Sequence, residues 1–209
     1  MVAGQDDAVG EVRARLCLNR VPTRRRLAWV ALVLLAIGIA ATARYPVFVD
    51  DISSPERAEV IDDIQRSQTW HGHLTEGRAD YYRFEADVGD VASFEILVPK
   101  RDELRSFRPE VTVRGPGMPG GGARVPASAA PVSFYEDQTQ SYYWSYTPEA
   151  GRDATVILPA QATYEIVVRI DRGAGGPYAI TTGTEERWGP LEVVLFPLQW
   201  ARVRLWYFS

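Results

Sequence analysis

Apolar and polar residues alternate along the middle of the chain. From Thr69 onward, apolar or aromatic side chains occupy every second position in five runs, which are 82–86, 94–98, 111–113, 164–170 and 178–182. A period of two, rich in β-branched and aromatic residues and cut by glycine and proline turns, is typical of antiparallel strands. Because no run with a helical period lies between them, the pattern predicts an all-β fold, an antiparallel two-sheet β-sandwich.

An uncharged apolar run, Leu27–Ala43, follows three consecutive arginines near the N-terminus. As a helix it spans ~26 Å, a little less than a ~30 Å hydrocarbon core. The positive flank predicts a transmembrane signal-anchor, with the basic segment 1–26 in the cytoplasm and residues 44 onward outside it. The alternative is a signal peptide cleaved after Ala43, which gives a secreted protein. A translation start near Val21 stays open as well.

Helices are expected on both sides of the strand region. Ser53, Pro55 and Glu56 form a typical helix start, which predicts a short helix over 55–67 inside a membrane-proximal stalk, 44–68. Apolar residues at helical spacing over 188–209 predict a short amphipathic helix within a C-terminal segment, 185–209. The side chains of this segment that suit a membrane interface are Trp188, Trp200, Arg202, Arg204, Trp206 and Tyr207. Packing of the helix on the sandwich and a second membrane span are the alternatives.

Charge and cysteine content exclude several functions. Residues 44–187 contain 14 arginines and Lys100 against 23 acidic residues, a net charge of −8, and the whole chain has a net charge of −4. This acidic region repels phosphate backbones, so nucleic acid is not an expected partner. The single cysteine, Cys17, excludes an intramolecular disulfide and a cysteine-based zinc module.

Aromatic residues cluster between the third and fourth runs. A sugar-stacking platform or a partner anchor is one interpretation of this cluster, and capping of one open end of the sandwich is the other. The cluster consists of Phe134, Tyr135, Tyr142, Tyr143, Trp144 and Tyr146.

Two sets of residues have side chains that suit a metal. Asp80, Asp87 and Asp90 surround the first hairpin and are candidate calcium ligands, although such aspartates also shape turns. His71 and His73 lie two apart, on one face of a strand, and form an alternative metal pair with a carboxylate as third ligand. The competing interpretation makes them surface histidines on an edge strand.

Catalytic motifs are absent from the sequence. It has no G-x-S-x-G, no H-E-x-x-H and no phosphate-binding glycine loop, so we do not expect an enzyme. A metal-dependent hydrolase that uses His71 and His73 is the remaining catalytic hypothesis.

Several short motifs resemble the bacterial pre-peptidase C-terminal domain. They are Asp80-Tyr81-Tyr82-Arg83-Phe84-Glu85-Ala86, Gly89-Asp90, Phe94-Glu95-Ile96, Gly115-Pro116-Gly117, Tyr164-Glu165-Ile166-Val167-Val168 and Gly176-Pro177-Tyr178-Ala179-Ile180-Thr181. The resemblance covers residues 69–184 and implies a jelly-roll-like, non-catalytic β-sandwich. Such domains are usually appended to secreted hydrolases, and some bind polymers or calcium, whereas here no catalytic domain is attached and the tether precedes the sandwich.

Together these features predict a membrane-anchored, extracytoplasmic binding module without catalytic activity. Its expected partners are the membrane and a polysaccharide, an envelope polymer or a protein. The alternative is a structural or assembly subunit of a membrane complex that docks through its C-terminal helix. Calcium is the only cofactor that the sequence suggests.

Overall fold

The structure, a computed structural model, describes residues 44–125, 130–137, 139–147 and 154–209. Contacts divide the chain into two units, Met1–Leu35 and Ala36–Ser209, and every described residue belongs to the second. The predicted signal-anchor Leu27–Ala43, the alternative cleavage site and Cys17 lie outside the described residues.

Twelve strands and one α-helix, numbered in chain order, form the described part of the chain. The strands are β1 Tyr45–Phe48, β2 Glu59–Ile61, β3 Gln68–Leu74, β4 Ala79–Ala86, β5 Val91–Pro99, β6 Arg108–Arg114, β7 Ala123–Arg124, β8 Val132–Glu136, β9 Ser141–Ser145, β10 Ala154–Ile157, β11 Ala162–Arg172 and β12 Gly176–Thr182. The helix, α1, is Pro190–Tyr207, and short 3-10 turns are formed by Pro55–Arg57 and Asp102–Leu104.

The strands form two sheets, which confirms the predicted β-sandwich. Sheet A has the order β1-β3-β12-β5-β9-β8, with β10 paired to β5, and sheet B has the order β2-β4-β11-β6-β7. The apolar set of each period-two run faces inward and forms the main core, as Phe84, Ile96, Val113, Ile166 and Ile180 show. Burial of alternate side chains from both sheets is the expected way to build such a core.

A glycine makes one close approach possible in this core. Gly72 lies on β3 opposite Tyr178 of β12, and a Cβ at this position would lie 2.7 Å from the Tyr178 ring. The ring therefore occupies the space above the glycine. Its hydroxyl contacts the Tyr82 hydroxyl at 2.9 Å and donates a hydrogen bond to Asp80 Oδ2 at 2.7 Å.

The segment before Thr69 differs from the prediction. The expected helix over 55–67 is a single 3-10 turn followed by β2, because residues 59–61 pair with β4 instead of continuing a helix. The expected stalk is part of the sandwich, since β1 pairs with β3 and Ile52, Ile61 and Ile64 are buried in the core. Both of these N-terminal strands pair in parallel, so the sheets are mixed, not purely antiparallel.

Helix α1 begins with a well-defined cap. Pro190 occupies the first turn, where a missing N–H costs nothing, and the Glu192 carboxylate accepts a hydrogen bond from the Gly189 N–H at 2.6 Å. Arg66 pairs with the same carboxylate and Arg187 pairs with Asp63. These ion pairs fix the start of the helix to the sandwich.

The inward side of α1 packs on the outer face of sheet A. Val203, Trp206 and Tyr207 form a second, smaller core with Leu97 and Tyr143. Trp206 Nε1 donates a hydrogen bond to the Gly72 carbonyl at 2.9 Å. Of the three placements that the sequence left open, packing on the sandwich is therefore the one observed for this side. Within the described residues, no helix has both the length and the apolar character needed to cross a membrane.

Candidate functional site

The β8–β9 hairpin divides the predicted aromatic cluster between two faces. Tyr135 pairs with Tyr142, and Phe134 pairs with Tyr143. Because successive side chains of a strand point to opposite faces, neighbouring aromatic residues have different surroundings. Tyr143 lies under α1, where its ring meets Tyr207 edge-on at 5.4 Å, so Tyr142 lies on the face away from the helix.

An exposed patch of aromatic rings and one ammonium forms on that second face. Tyr142 is 53% exposed and Tyr135 is 43% exposed, and their ring centroids lie 4.8 Å apart. Lys100 Nζ lies 5.3 Å from the ring centroid of Tyr142 and 4.9 Å from that of half-buried Trp144. Lys100 also donates a hydrogen bond to Ser133 Oγ at 2.9 Å, which fixes the ammonium beside the rings. We call Lys100, Tyr135, Tyr142 and Trp144 the aromatic patch.

The other predicted aromatic residues belong to the cores. Phe134 is half-buried against the second core, and Tyr143 is buried in it. Burial raises the pKa of the Tyr143 hydroxyl. Tyr146 is buried in the main core and donates a hydrogen bond to the Phe107 carbonyl at 2.7 Å. Three of the six predicted aromatic residues thus belong to the aromatic patch, and the other three pack in the two cores.

Lys100 is a site residue that the sequence analysis missed. It is the only lysine in the chain, which makes it distinctive. Its neighbours come from β9, which pairs with the end of β5 through Pro99 and Tyr143. This register depends on pairing between residues more than 40 positions apart. The spacing of residues along the sequence therefore does not predict that Lys100 lies beside these rings.

The two histidines have unequal surroundings. His71 is 4% exposed, with its ring stacked on Phe48 at 4.8 Å and edge-on to Trp206 at 4.5 Å. Its Nδ1 lies 3.1 Å from the Thr69 carbonyl. Desolvation lowers the His71 pKa to about 4. His73 is exposed, so the structure places one histidine in packing and the other in solvent.

The three aspartates lie at opposite ends of β4. Asp80 is buried near its beginning, where desolvation raises its pKa, and Asp87 follows its end. Asp87 lies seven positions after Asp80 along this extended segment, a distance of about 23 Å. Asp90 Oδ2 accepts a hydrogen bond from the Asp87 N–H at 2.9 Å, which is a turn-shaping role. In the described parts of the chain, no group of three or more His, Cys, Asp or Glu residues is placed to hold a metal ion.

A small cavity lies between the outer face of sheet A and α1. Its polar side includes Thr69, Thr181 and Glu95, and its apolar side includes Phe196 and Trp200. Ser145 Oγ donates a hydrogen bond to Glu95 Oε1 at 3.1 Å. The volume is about 170 Å³. Ligand pockets usually measure about 300–1,000 Å³, so this cavity suits the packing of the helix better than the binding of a substrate.

The outward side of α1 carries an apolar stripe. Its members recur at intervals of three or four residues, with exposed Ala201 completing the spacing, and they are 61–75% exposed. We call this set the apolar stripe; it consists of Leu191, Val194, Leu198, Leu205 and Phe208.

The residues that the sequence suggested for a membrane interface lie mainly on the inward side of α1. Trp206 and Tyr207 are buried in the second core. Arg204 donates hydrogen bonds to the Thr139 carbonyl and to Ser141 Oγ, both at 2.9 Å. Arg202 lies over the Phe48 ring at 4.3 Å. The other two residues remain near the surface, Trp188 half-buried and Trp200 37% exposed.

Among known proteins, those found to be similar to this chain are solved structures. A periplasmic lysozyme inhibitor of g-type lysozyme from Salmonella Typhimurium is 16% identical with a TM-score of 0.34, and covers 68% of this chain and 100% of its own. The pre-peptidase C-terminal domain of collagenase from Bacillus anthracis is 15% identical with a TM-score of 0.34, and covers 61% of this chain and 95% of its own. No family model matches the chain, and no curated protein matches it. The solved structures similar to this chain thus include a member of the family that its motifs resemble, and at these TM-scores the functions of those proteins do not transfer to it.

Proposed function

We propose that this chain is a non-catalytic binding module, anchored in a membrane by Leu27–Ala43, that recognises a polysaccharide outside the cytoplasm through its aromatic patch. One observation carries the proposal. Two exposed tyrosine rings, 4.8 Å apart, stand beside the fixed ammonium of Lys100 on the surface of the sandwich.

Sugars present two kinds of surface that fit this patch. The C–H face of a pyranose ring is apolar and stacks on an aromatic ring, as the exposed rings of Tyr135 and Tyr142 allow. Sugar hydroxyls accept hydrogen bonds, and an ammonium has three N–H donors, of which Ser133 takes one from Lys100. The other two donors supply the hydrogen bonds that we propose for a sugar stacked on the patch.

A patch of this size gives weak binding to a single sugar. A polysaccharide repeats the same unit, and a membrane holds many copies of an anchored protein in one plane. Binding of one copy therefore raises the effective concentration of polymer for its neighbours, and the avidity exceeds the affinity of a single site. Anchoring and weak recognition of a repeating ligand thus suit each other.

Polymer binding by the full chain in lipid nanodiscs tests the proposal. A panel of neutral and acidic polysaccharides, including dextran and alginate, is presented on a surface, and binding of wild type is compared with that of Tyr142→Ala and Tyr135→Ala. Tyr81→Ala, which removes a half-buried tyrosine from β4 of sheet B, is the matched control. We expect a polymer that wild type and Tyr81→Ala retain equally and that both patch variants lose. Equal retention of all four proteins would exclude the patch, and failure of wild type to bind any polysaccharide would overturn the proposed ligand class.

Lys100 gives a second readout of the same site. As the only lysine, it shares amine-reactive labelling with the chain's N-terminus alone. A bound polysaccharide should slow labelling of Lys100 and leave labelling of the N-terminus unchanged. Equal labelling of Lys100 with and without polymer would place the ligand elsewhere.

A further inference from the structure

We infer that the apolar stripe of α1 lies on the outer surface of the bilayer that holds Leu27–Ala43, so that the sandwich sits on the membrane in one fixed orientation. This rests on the proposed anchor. The occupant of the stripe is then lipid, in preference to a second protein.

The stripe has the size and composition of a membrane-contacting surface. Four of its five large side chains form one line along a helix of 18 residues, about 27 Å long, and Phe208 follows directly after the helix. A continuous exposed apolar surface on a folded domain marks an interaction site. The acidic residue of the helix, Glu192, is paired with Arg66 at the side of the sandwich, so no carboxylate interrupts the stripe.

Only one residue separates the apolar run of the proposed anchor from the first strand of the sandwich. The apolar run ends at Ala43, and β1 begins at Tyr45. The Tyr45 N–H donates a hydrogen bond to the Ser67 carbonyl at 3.2 Å, and the Val49 N–H donates one to the His71 carbonyl at 3.0 Å. The chain is therefore held in sheet A within two residues of the run. This short connection is our reason for placing the neighbouring surface of the sandwich against the bilayer.

That neighbouring surface is α1. The Tyr45 ring meets Trp188 edge-on at 5.3 Å, and Trp188 meets Phe196 at 5.1 Å. Farther along β1, Phe48 lies under the Arg202 guanidinium. Strand β1 thus runs beneath the helix, and the chain enters the sandwich at the edge of sheet A that α1 covers.

The charged residues near α1 also differ from those on the outer face of sheet B. Arg202 is an exposed residue of α1, and a cation on this helix can pair with lipid phosphates. The outer face of sheet B instead carries charged side chains of both signs, which favour water. They form ion pairs such as Arg169–Glu110 and Arg114–Glu165. With the stripe on lipid, the aromatic patch, on the hairpin face away from α1, points away from the bilayer.

Spin-label accessibility of the full chain in phosphatidylcholine–phosphatidylglycerol vesicles tests this inference. In a Cys17→Ser background, single labels are placed by Val194→Cys, Leu198→Cys and Leu205→Cys. The matched control is Val60→Cys, an exposed valine of β2. Collision with oxygen, which concentrates in lipid, is compared with collision with a water-soluble nickel chelate. Because all four positions are exposed, far-UV circular dichroism should show the wild-type fold for each variant.

We expect the oxygen-to-nickel ratio to be several-fold higher at all three stripe positions than at Val60. A stripe that resembles Val60, with free access for nickel, would overturn the inference while leaving the anchor intact. Low access for both reagents would also overturn it, because a protein partner or a second copy would then cover the stripe. Recovery of the chain with floated vesicles, with Leu27–Ala43 shown by mass spectrometry, tests the anchor separately.

Discussion

The two outer faces of the sandwich differ in how they meet their surroundings. On sheet B the outward side chains of β6 are all charged or polar, and Glu110 there accepts hydrogen bonds from Arg169 and pairs with Arg124. On sheet A the outward face of the central strands is covered by α1, polar Glu95 and Thr181 included, and β12 is buried on both of its faces. Sheet B is complete as a water-facing surface, whereas sheet A needs the helix as a third layer.

This difference explains why α1 has two apolar sides. Its inward side supplies the layer that sheet A lacks, and its outward stripe is then left over as an interaction surface. Packing and the proposed membrane contact thus lie on opposite sides of a single helix. Substitutions on the two sides should have different effects, which the following measurements compare.

Loss of the Trp206 ring should have the largest effect on stability. Trp206→Ala removes a 9%-exposed ring and its hydrogen bond to Gly72. Large-to-small substitutions of this kind cost about 3–5 kcal/mol. Urea unfolding of the full chain in detergent, followed by circular dichroism, measures the change. The neighbouring Leu205→Ala, on the stripe, is the control and should stay within about 0.5 kcal/mol of wild type. Equal losses for both would show that α1 does not pack as described.

Acid should weaken the second core through His71. Its pKa in the folded state is about 4, against an ordinary value of 6.5, because burial disfavours the charged ring. Below pH 6.5 the unfolded chain binds a proton that the folded chain does not. The contribution of His71 to the free energy of unfolding is therefore fully present above pH 6.5. It falls by about 3 kcal/mol as the pH drops to 4.

Two histidine variants isolate this dependence. His71→Gln should remove most of the fall in unfolding free energy between pH 6.5 and pH 4. His73→Gln, two positions along β3 and exposed, should keep it. A fall that persists in His71→Gln would assign the acid sensitivity to other groups.

Removal of one charge from sheet B should have a smaller effect. Glu110→Gln weakens the contacts with Arg169 and Arg124, whose side chains are 44% and 69% exposed. Exposed ion pairs contribute about 1 kcal/mol or less, and salt screens them. Unfolding measured at low and high salt should show a small loss that shrinks as salt is added. A loss as large as that of Trp206→Ala would remove the contrast between the two faces.

Polar substitution on the stripe should change stability least. Val194→Ser replaces a side chain that is exposed in the fold, so the free energy of unfolding in detergent should stay within about 0.5 kcal/mol of wild type. Calorimetric or urea unfolding checks this. A loss of several kcal/mol would mean that the stripe is part of the folding core.

The sequence was sufficient for the long strands and insufficient for the edges. Period-two runs predicted β4, β5, β6, β11 and β12, because each buries one apolar set against the other sheet. The short strands β1 and β2 were not recognised, since both lie before Thr69, where the period-two runs begin. Their parallel pairing is decided by tertiary contacts, so the predicted stalk and helix were wrong.

The C-terminal helix shows a second limit. Apolar spacing over 188–209 predicted the helix, but periodicity alone cannot tell which of two apolar sides meets the protein. Phe196, Val203 and Trp206 form the other side, which is the one buried against sheet A. Lys100 entered the aromatic patch through strand register, which composition does not reveal.

Hydrogen–deuterium exchange of the full chain in nanodiscs, with and without a bound polysaccharide, tests the central claim most directly. The claim is that the patch and the stripe act on opposite sides of the sandwich, one on polymer and the other on lipid. Addition of polymer should slow exchange in the β8–β9 hairpin, 132–145, and leave α1 unchanged. Protection of 190–207 by polymer, or no change in the hairpin while polymer is bound, would contradict it.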